Sequence, residues 1–388
     1  MLRLLTAGES HGACLVATLE GLPAGLAVTV EDVQAELARR RLGFGRGPRQ
    51  RFEQDEVALV GGVRHGRTLG GPVAITVGNS EWHRSDRWHQ EMSPAPGVTQ
   101  EPLTQPRPGH ADLAGMQKHG FTDARDVLER ASARETAARV AAGTLAKLLL
   151  RQLGVEVISH VVQLGAVHTN ADLRPEPADL GQVDQSQVRC FDPGAEVAMV
   201  DAVKEAAHDG DSLGGVVEVL AYGVPVGLGS HTHWDRKLDG LLAQAVMSIQ
   251  AVKGVEIGNG FEVAGRRGSV AHDPIEWDGL TETYRRTSTL AGGLEGGIST
   301  GELVVVRAAM KPLATLNRPV LATVDVRTKE ATVSFKERTD VTAVPAMGVV
   351  AETMVALVLA SEALRKFGGD SVIEMVRNAK AFRGALDG

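Results

Sequence analysis

The chain has 388 residues, 43% hydrophobic, 23% charged and only 4% aromatic, with a formal net charge of −7. That length and apolar content can bury a large core, as one domain or two fused halves, while the acidic balance argues against general nucleic-acid binding, which rests on neutralising phosphates. No run of about 18 apolar residues suggests a membrane span, and Met1-Leu2-Arg3-Leu4-Leu5 lacks a signal or transit pattern, so a cytoplasmic location is expected.

In chain order, the first feature is a short polar turn, Gly8-Glu9-Ser10-His11-Gly12. Thr29 with Asp32 then predicts a helix N-cap, followed by Val33, Leu37 and Leu42 at helical spacing and a stop at Gly43. The arginines leave this helix and enter the loop Gly43-Phe44-Gly45-Arg46-Gly47-Pro48-Arg49. Arg39, Arg40, Arg41, Arg46, Arg49 and Arg51 crowd one stretch, and Arg64, Arg67, Arg84, Arg87, Arg107, Arg125, Arg130 and Arg134 follow. The planar guanidinium suits carboxylate and phosphate, so this local charge in an acidic protein points to a small polyanionic ligand. For Arg39 to Arg41 alone, a solvated helix end is an equal alternative.

Segments 56–63 and 72–78 read as strands from their β-branched content. A second glycine–histidine turn, Arg107-Pro108-Gly109-His110-Ala111-Asp112, lies beyond them. Glycine allows close backbone approach and imidazole titrates near neutral pH, so two such turns around an arginine run point to acid/base chemistry on an anion. Ser132 and Glu135 predict a capping box for a helix reaching about Gln152, with Gly154 as its stop. That reading places Arg130 and Arg134 at a helix N-terminus, which favours anions. Strands are expected at 155–162, 215–222, 302–310 and 320–326, and helices at 235–251, 346–367 and 371–382.

Leu19-Glu20-Gly21-Leu22-Pro23-Ala24-Gly25-Leu26 is echoed by Ala221-Tyr222-Gly223-Val224-Pro225-Val226-Gly227-Leu228. This suggests a duplication into pseudo-twofold halves of about 1–205 and 206–388 within one 1–388 unit, against the alternative of a recurring glycine–proline turn. Cys14 and Cys190 are the only cysteines and are expected as buried, reduced thiols. The run Gly292 to Gly297 could cradle phosphate but lacks the lysine and hydroxyl residue of a nucleotide P-loop. His231 with His233, and His83 with Asp86 and His89, lack recognised ligand spacing, so no metal is expected there. Asp340, ahead of a helix that Pro345 opens, is either a placed carboxylate or a turn residue.

Taken together, Gly8–Gly12, Arg107–Asp112 and Arg130-Ala131-Ser132-Ala133-Arg134-Glu135-Thr136 resemble the chorismate synthase family. The likeness continues through Arg39–Gly47, Gly61–Gly66, Asp209–Glu218, Gly292–Gly297, Met310-Lys311-Pro312 and Arg338-Thr339-Asp340, almost the whole chain. The resemblance implies an α+β fold, a β-α-β sandwich with central helices between antiparallel sheets, assembled as a homotetramer. It also implies a carbon–oxygen lyase that converts 5-enolpyruvylshikimate 3-phosphate to chorismate by anti-1,4-elimination, the last step of the shikimate route. The reaction needs reduced FMN without net redox change.

By resemblance, His11 with Ser10 beside it is the candidate acid for phosphate, His110 a donor toward the flavin, and Asp340 the carboxylate that deprotonates it. Arg49, Arg107, Arg134 and Arg338 would surround the substrate's acidic groups. Arg130, Ala131, Ser132, Gln250, Ala251, Gly296, Lys311, Thr315 and Arg338 would contact FMN. Arg40 and Arg46 match positions for a pyridine nucleotide, which keeps NADPH open as a reductant, although a chain of 388 residues resembles the form that relies on outside reductant. Two departures stand out: Ala131 where many members carry serine, and Thr339 for the commoner serine. The rival readings are a non-catalytic phosphate-binding module, which has no need of His11, His110 and Asp340 in concert, and a phosphotransferase, which would need nucleotide and magnesium.

Overall fold

The computed structural model describes residues 2–46, 55–82, 86–96, 101–280, 282–318, 320–335 and 339–385. Strands β1 (Arg3–Ala7), β2 (Cys14–Glu20), β3 (Val57–Gly61) and β4 (Val73–Gly78) form an antiparallel sheet ordered β1-β2-β4-β3. Leu15, Ala17 and Leu19 of β2 and Val73, Ile75 and Val77 of β4 are buried, with partly exposed residues between them. Such alternation marks a sheet packed against a core on one face.

Helix α1 (Val30–Arg40) leaves the turn after β2, and its start is the expected one: Thr29 accepts from the Asp32 amide and Asp32 reciprocates. After β4 the chain forms α2 (Asp112–His119), α3 (Arg125–Ala131) and the long α4 (Thr136–Arg151). The second antiparallel sheet combines β5 (Glu156–Leu164), β6 (Val167–His168), β7 (Gly215–Tyr222), β8 (Val252–Ile257) and β9 (Val304–Met310) in the order β8-β9-β7-β5-β6. Helix α5 (Pro193–Asp209) precedes β7, α6 (Leu238–Met247) precedes β8, and α7 (Val344–Phe367) and α8 (Val372–Gly384) close the chain. Residues 205 and 206, the expected division between halves, lie inside α5.

Helix α4 touches β1, β2 and β4, α7 touches β5, β7 and β9, and the two helices pack on each other. Their approach is close at Gly143, where a Cβ would sit 2.4 Å from Cβ of Thr353. Helix α7 corrects the expectation that no apolar run is long enough for a bilayer: its best window has mean hydropathy 1.8, and 83% of that window is buried inside the protein. Its apolar character therefore reflects a core position with neighbours on several sides.

A buried ion cluster ties the helices together. Glu352 of α7, fully buried, meets Arg39 of α1 at 2.7 Å, Lys147 of α4 at 2.8 Å and Arg189 at 3.2 Å. Arg39 also binds Glu36 and Asp184. Neither a solvated helix end nor a ligand site describes Arg39, which is committed to the core.

The two glycine–proline turns that echo each other in sequence are held alike. Thr68 Oγ1 accepts from the Leu26 amide and donates to Pro23 O, while its backbone bonds Gly25 and Leu26. Ser299 Oγ accepts from the Leu228 amide and donates to Pro225 O, and its backbone bonds Gly227 and Leu228.

Candidate active site

An open cavity lies where the start of α7, the turn after α6 and the segment before α4 converge. Ser10, Arg40, Arg46, Ser132, Arg134, Gln250 and Asp340 line it, and Ile249, Met310, Met347 and Val350 supply an apolar wall. A cleft with one greasy side and several cations suits a flat ring system with anionic appendages. Gly45, at φ +84, presses on Val203 of α5, where a Cβ would come within 2.6 Å. That contact and the Val341 amide on Gly45 O seat the arginine loop against the Asp340 segment.

Arg46 Nε lies 3.0 Å from Asp340 Oδ2, and Arg46 Nη1 is buried with no hydrogen-bond partner among the described residues. Gln250 Oε1 is likewise buried and unpartnered, while Gln250 Nε2 donates to Glu135 at 3.0 Å. Buried polar atoms without partners are costly, and at a cavity wall they are points where a ligand's polar groups restore hydrogen bonding. Arg40 binds Thr136 Oγ1 and Ala133 O. Arg134 bonds Asn79 Oδ1, Asp55 Oδ1 and Gly78 O, so its guanidinium is already oriented by the protein.

The region before α4 differs from its sequence reading. Ser132 caps a short 3-10 turn, Ala133–Glu135, by accepting from the Arg134 amide. Glu135 does not reciprocate, because its carboxylate is taken by Thr6, Arg139 and Gln250. Arg130 sits in the last turn of α3, not at a helix N-terminus, and its guanidinium binds Thr6 O and Gly8 O.

His11 is held by Glu129, whose carboxylate oxygens lie 2.9 and 3.1 Å from Nδ1 and also accept the His11 amide at 2.9 Å. Trp88 stacks on the imidazole with ring centroids 3.9 Å apart. Burial opposes ionisation of Glu129, yet its bonds to His11 and the charges of His11 and Arg125 outweigh burial and hold its carboxyl below the usual range.

His110 has a similar partner. Its Nδ1 bonds Asp112, which is fully buried and also accepts from the Arg107 amide at 3.1 Å and Nε at 2.8 Å. Burial alone would raise the Asp112 carboxyl, but the His110 bond, the Arg107 bond and the Arg107 charge depress it far below the ordinary value. Arg107 reaches Thr315 Oγ1 at 3.2 Å, Lys311 Nζ donates to Gly109 O, and the Lys311 amide donates to Ala251 O. Arg107, His110, Lys311, Thr315 and Ala251 thus form one linked group, adjoining the cavity through Met310 and Gln250.

Gly296 is not brought to the cavity wall. It pairs with Gly297, both at positive φ, in the two-residue turn between Glu295 and Ile298, near His231 before α6, whereas Gln250 lies beyond the other end of α6. Arg49 and Arg338 lie outside the described residues, as does His83. Cys14 and Cys190 are free thiols, but only Cys190 is fully buried.

Sequence reasoning missed Glu129, Trp88, Asn79 and Asp55, which support the site from unrelated segments and carry no local pattern. Ala251 has a left-handed backbone at φ +66, which a non-glycine residue adopts at some cost and which no local sequence pattern signals.

The chorismate synthase sequence profile matches residues 2–364. The chain belongs to the chorismate synthase family. It is 62% identical to the chorismate synthase of Salinispora tropica, covering 100% of this chain and 99% of that protein. It is 60% identical to that of Thermobifida fusca, with the same coverage of 100% and 99%. A crystal structure of a chorismate synthase, 38% identical, superimposes with a TM-score of 0.78 over 100% of this chain and 98% of that one. Chorismate synthases are lyases.

Proposed function

We propose that the chain eliminates phosphate from 5-enolpyruvylshikimate 3-phosphate to give chorismate, using reduced FMN without net redox change. The observation that carries this reading is one cavity gathering Ser10, Arg40, Arg46, Ser132, Arg134, Gln250 and Asp340 from across the chain. Substrate and cofactor bring several anionic groups, and like charges about 4 Å apart cost about 4 kcal/mol at an effective dielectric of about 20. Arg40, Arg46, Arg107 and Arg134, with Arg49 and Arg338, offset that repulsion.

Arg46 Nη1 and Gln250 Oε1, buried without partners among the described residues and beside the apolar wall, support a fit to a flavin with its phosphate. Arg130, Ala131, Ser132, Gln250, Ala251, Lys311, Thr315 and Arg338 are the residues that would hold FMN, whereas Gly296, expected among them, stands apart from this wall. When bound in reduced form, the cofactor supplies the electron-rich centre that an unactivated C–H bond requires. His11 gives a proton to the departing phosphate, with Ser10 beside it on the cavity wall. His110 holds its proton on a ring fixed by Asp112, and Asp340 is the base, kept in place by Arg46. Arg40 and Arg46 would also take NADPH where it serves as reductant.

The architecture is a β-α-β sandwich with pseudo-twofold halves. Supporting this are α4 on the first sheet and α7 on the second, the parallel between the orders β1-β2-β4-β3 and β5-β7-β9-β8, and the matched bonding of Thr68 and Ser299. The repeat these features support divides between α4 and β5, not near residue 205. The proposed assembly is a homotetramer in the cytoplasm, as the family resemblance implies; the acidic charge and the buried α7 support a reading without nucleic-acid or membrane partners.

Separate replacement of His11 and His110 by alanine tests the reading. Turnover should fall by about 10²–10⁴-fold with substrate and FMN binding retained, whereas unchanged turnover would overturn the assigned roles. Dependence on magnesium and nucleotide in place of reduced FMN would favour a phosphotransferase.

A further inference from the structure

The strongest unassigned feature is the carboxylate behind His11. Glu129 lies in the last turns of α3, is 4% exposed, and engages both Nδ1 and the backbone amide of His11. We propose that Glu129 is a positioning residue for phosphate departure: it fixes the His11 ring through Nδ1 and stabilises its protonated form, leaving Nε2 as the nitrogen that delivers the proton. The inference rests on the reading of His11 as the acid.

A carboxylate accepting at Nδ1 sets both the ring orientation and the tautomer, so the transferable proton is the one on Nε2. The stack on Trp88 restricts ring flipping from one face, and Nε2 lies 3.9 Å from Glu81 Oε2. In the transfer, the Nε2–H bond breaks and an O–H bond forms on the leaving phosphate. The imidazolium becomes neutral imidazole, and Glu129 remains a carboxylate bonded to Nδ1–H throughout.

Among the described residues, Arg125, Arg87, Glu91 and Glu81 are charged groups around the pair. Arg125 Nη1 binds Glu129 at 3.2 Å and also lies over the Trp88 ring at 5.4 Å. Arg87 lies over the other part of the same contact, 4.9 Å from the Trp88 centroid, and Glu91 approaches Arg87 at 3.7 Å and Arg125 at 3.9 Å. Burial opposes ionisation of Glu129, but its bonds to His11 and the charges of His11 and Arg125 hold it ionised, so it does not compete for the proton at neutral pH.

A merely structural Glu129 would also brace the turn, since its backbone carbonyl accepts from the Ser10 amide. Glu129→Gln separates the alternatives, because the amide preserves shape and hydrogen bonding while removing charge. Two readouts are needed in the full-length protein: the pH midpoint for diethyl pyrocarbonate modification of His11, followed by peptide mass spectrometry without flavin, and the pH profile of phosphate release with chemically reduced FMN. The inference predicts that both midpoints move down by about one pH unit or more in Glu129→Gln, while KM changes little. Coincident midpoints in the two proteins would overturn it.

Should Glu129→Gln not accumulate as folded protein, Glu129→Asp carries the test. It keeps the charge but retracts it, so the modification midpoint should stay while kcat falls about tenfold or more through misplacement of the ring. An unchanged kcat would overturn the positioning role. If His11→Ala retained full turnover while Glu129→Gln still shifted the modification midpoint, the pairing would be supported and the role of His11 as acid overturned.

Discussion

Asn79 ties the His11 turn to Arg134. Itself fully buried, it donates from its side-chain nitrogen to the carbonyls of Glu9 and Gly12 at 3.1 and 2.7 Å, and its oxygen accepts from Arg134 Nε at 2.9 Å. One amide therefore sets the spacing between a candidate acid and a candidate anion-binding cation.

Asn79→Ala should lower kcat/KM by at least about tenfold, because small displacements of catalytic groups are costly, and should lower stability by about 1–3 kcal/mol from the buried carbonyls and guanidinium left unpaired. Steady-state kinetics and urea unfolding measure both. Retention of full activity would show that the turn holds its shape without Asn79.

Arg46 and Asp340 should separate binding from chemistry. Removing a charged hydrogen-bond donor costs about 1.5–3 kcal/mol, so Arg46→Ala should raise KM by a factor of about 10 to 150. Asp340→Asn keeps the shape of the wall but loses its base, and is expected to lower kcat with KM much less affected. The reverse pattern in a comparison of initial rates would contradict the assignment.

Gly143→Ala tests the packing of the two inner helices. The added methyl meets Thr353 Cβ at 2.4 Å and Thr353 O at 3.0 Å, an overlap that backbone movement must relieve at about 1–3 kcal/mol. A measurable fall in Tm is expected, although alanine has the higher helix propensity. An unchanged or raised Tm would mean that α4 and α7 separate at no cost.

Acid should destabilise the fold. Burial raises the Glu352 carboxyl, but Arg39, Lys147 and Arg189 outweigh it and hold the group well below its ordinary value. Glu218 behaves similarly and is held at about 2 by His160, Arg174 and Arg307 against the effect of burial. A depressed carboxyl contributes stability that is fully present above its unfolded value, about 4.3, and is lost as pH falls toward the folded one. Unfolding free energy should therefore drop as pH goes from about 5 toward 2. Glu352→Gln, which leaves three cations facing a neutral amide, should cost about 3–5 kcal/mol at pH 7 and flatten part of that slope.

The sequence exposed features whose causes are local. The Thr29–Asp32 cap, the strand at 215–222 and the helix opened near Pro345 appear where their own residues place them. It hid what depends on distant partners. Glu135 looked like a capping residue until Thr6 and Gln250 claimed its carboxylate. Arg39 looked like part of an anion-binding run, but Asp184 and Glu352 draw it into the core while its neighbour Arg40 faces the cavity. The histidines were legible as a pair of glycine turns, whereas Glu129 lies 118 residues from the imidazole it holds.

The most direct test of the central claim is an anaerobic assay of phosphate release from 5-enolpyruvylshikimate 3-phosphate. With chemically reduced FMN the protein should release phosphate and form chorismate in equal amounts. With oxidised FMN it should release none. Equal release in the absence of reduced flavin, or none in its presence, would contradict the account.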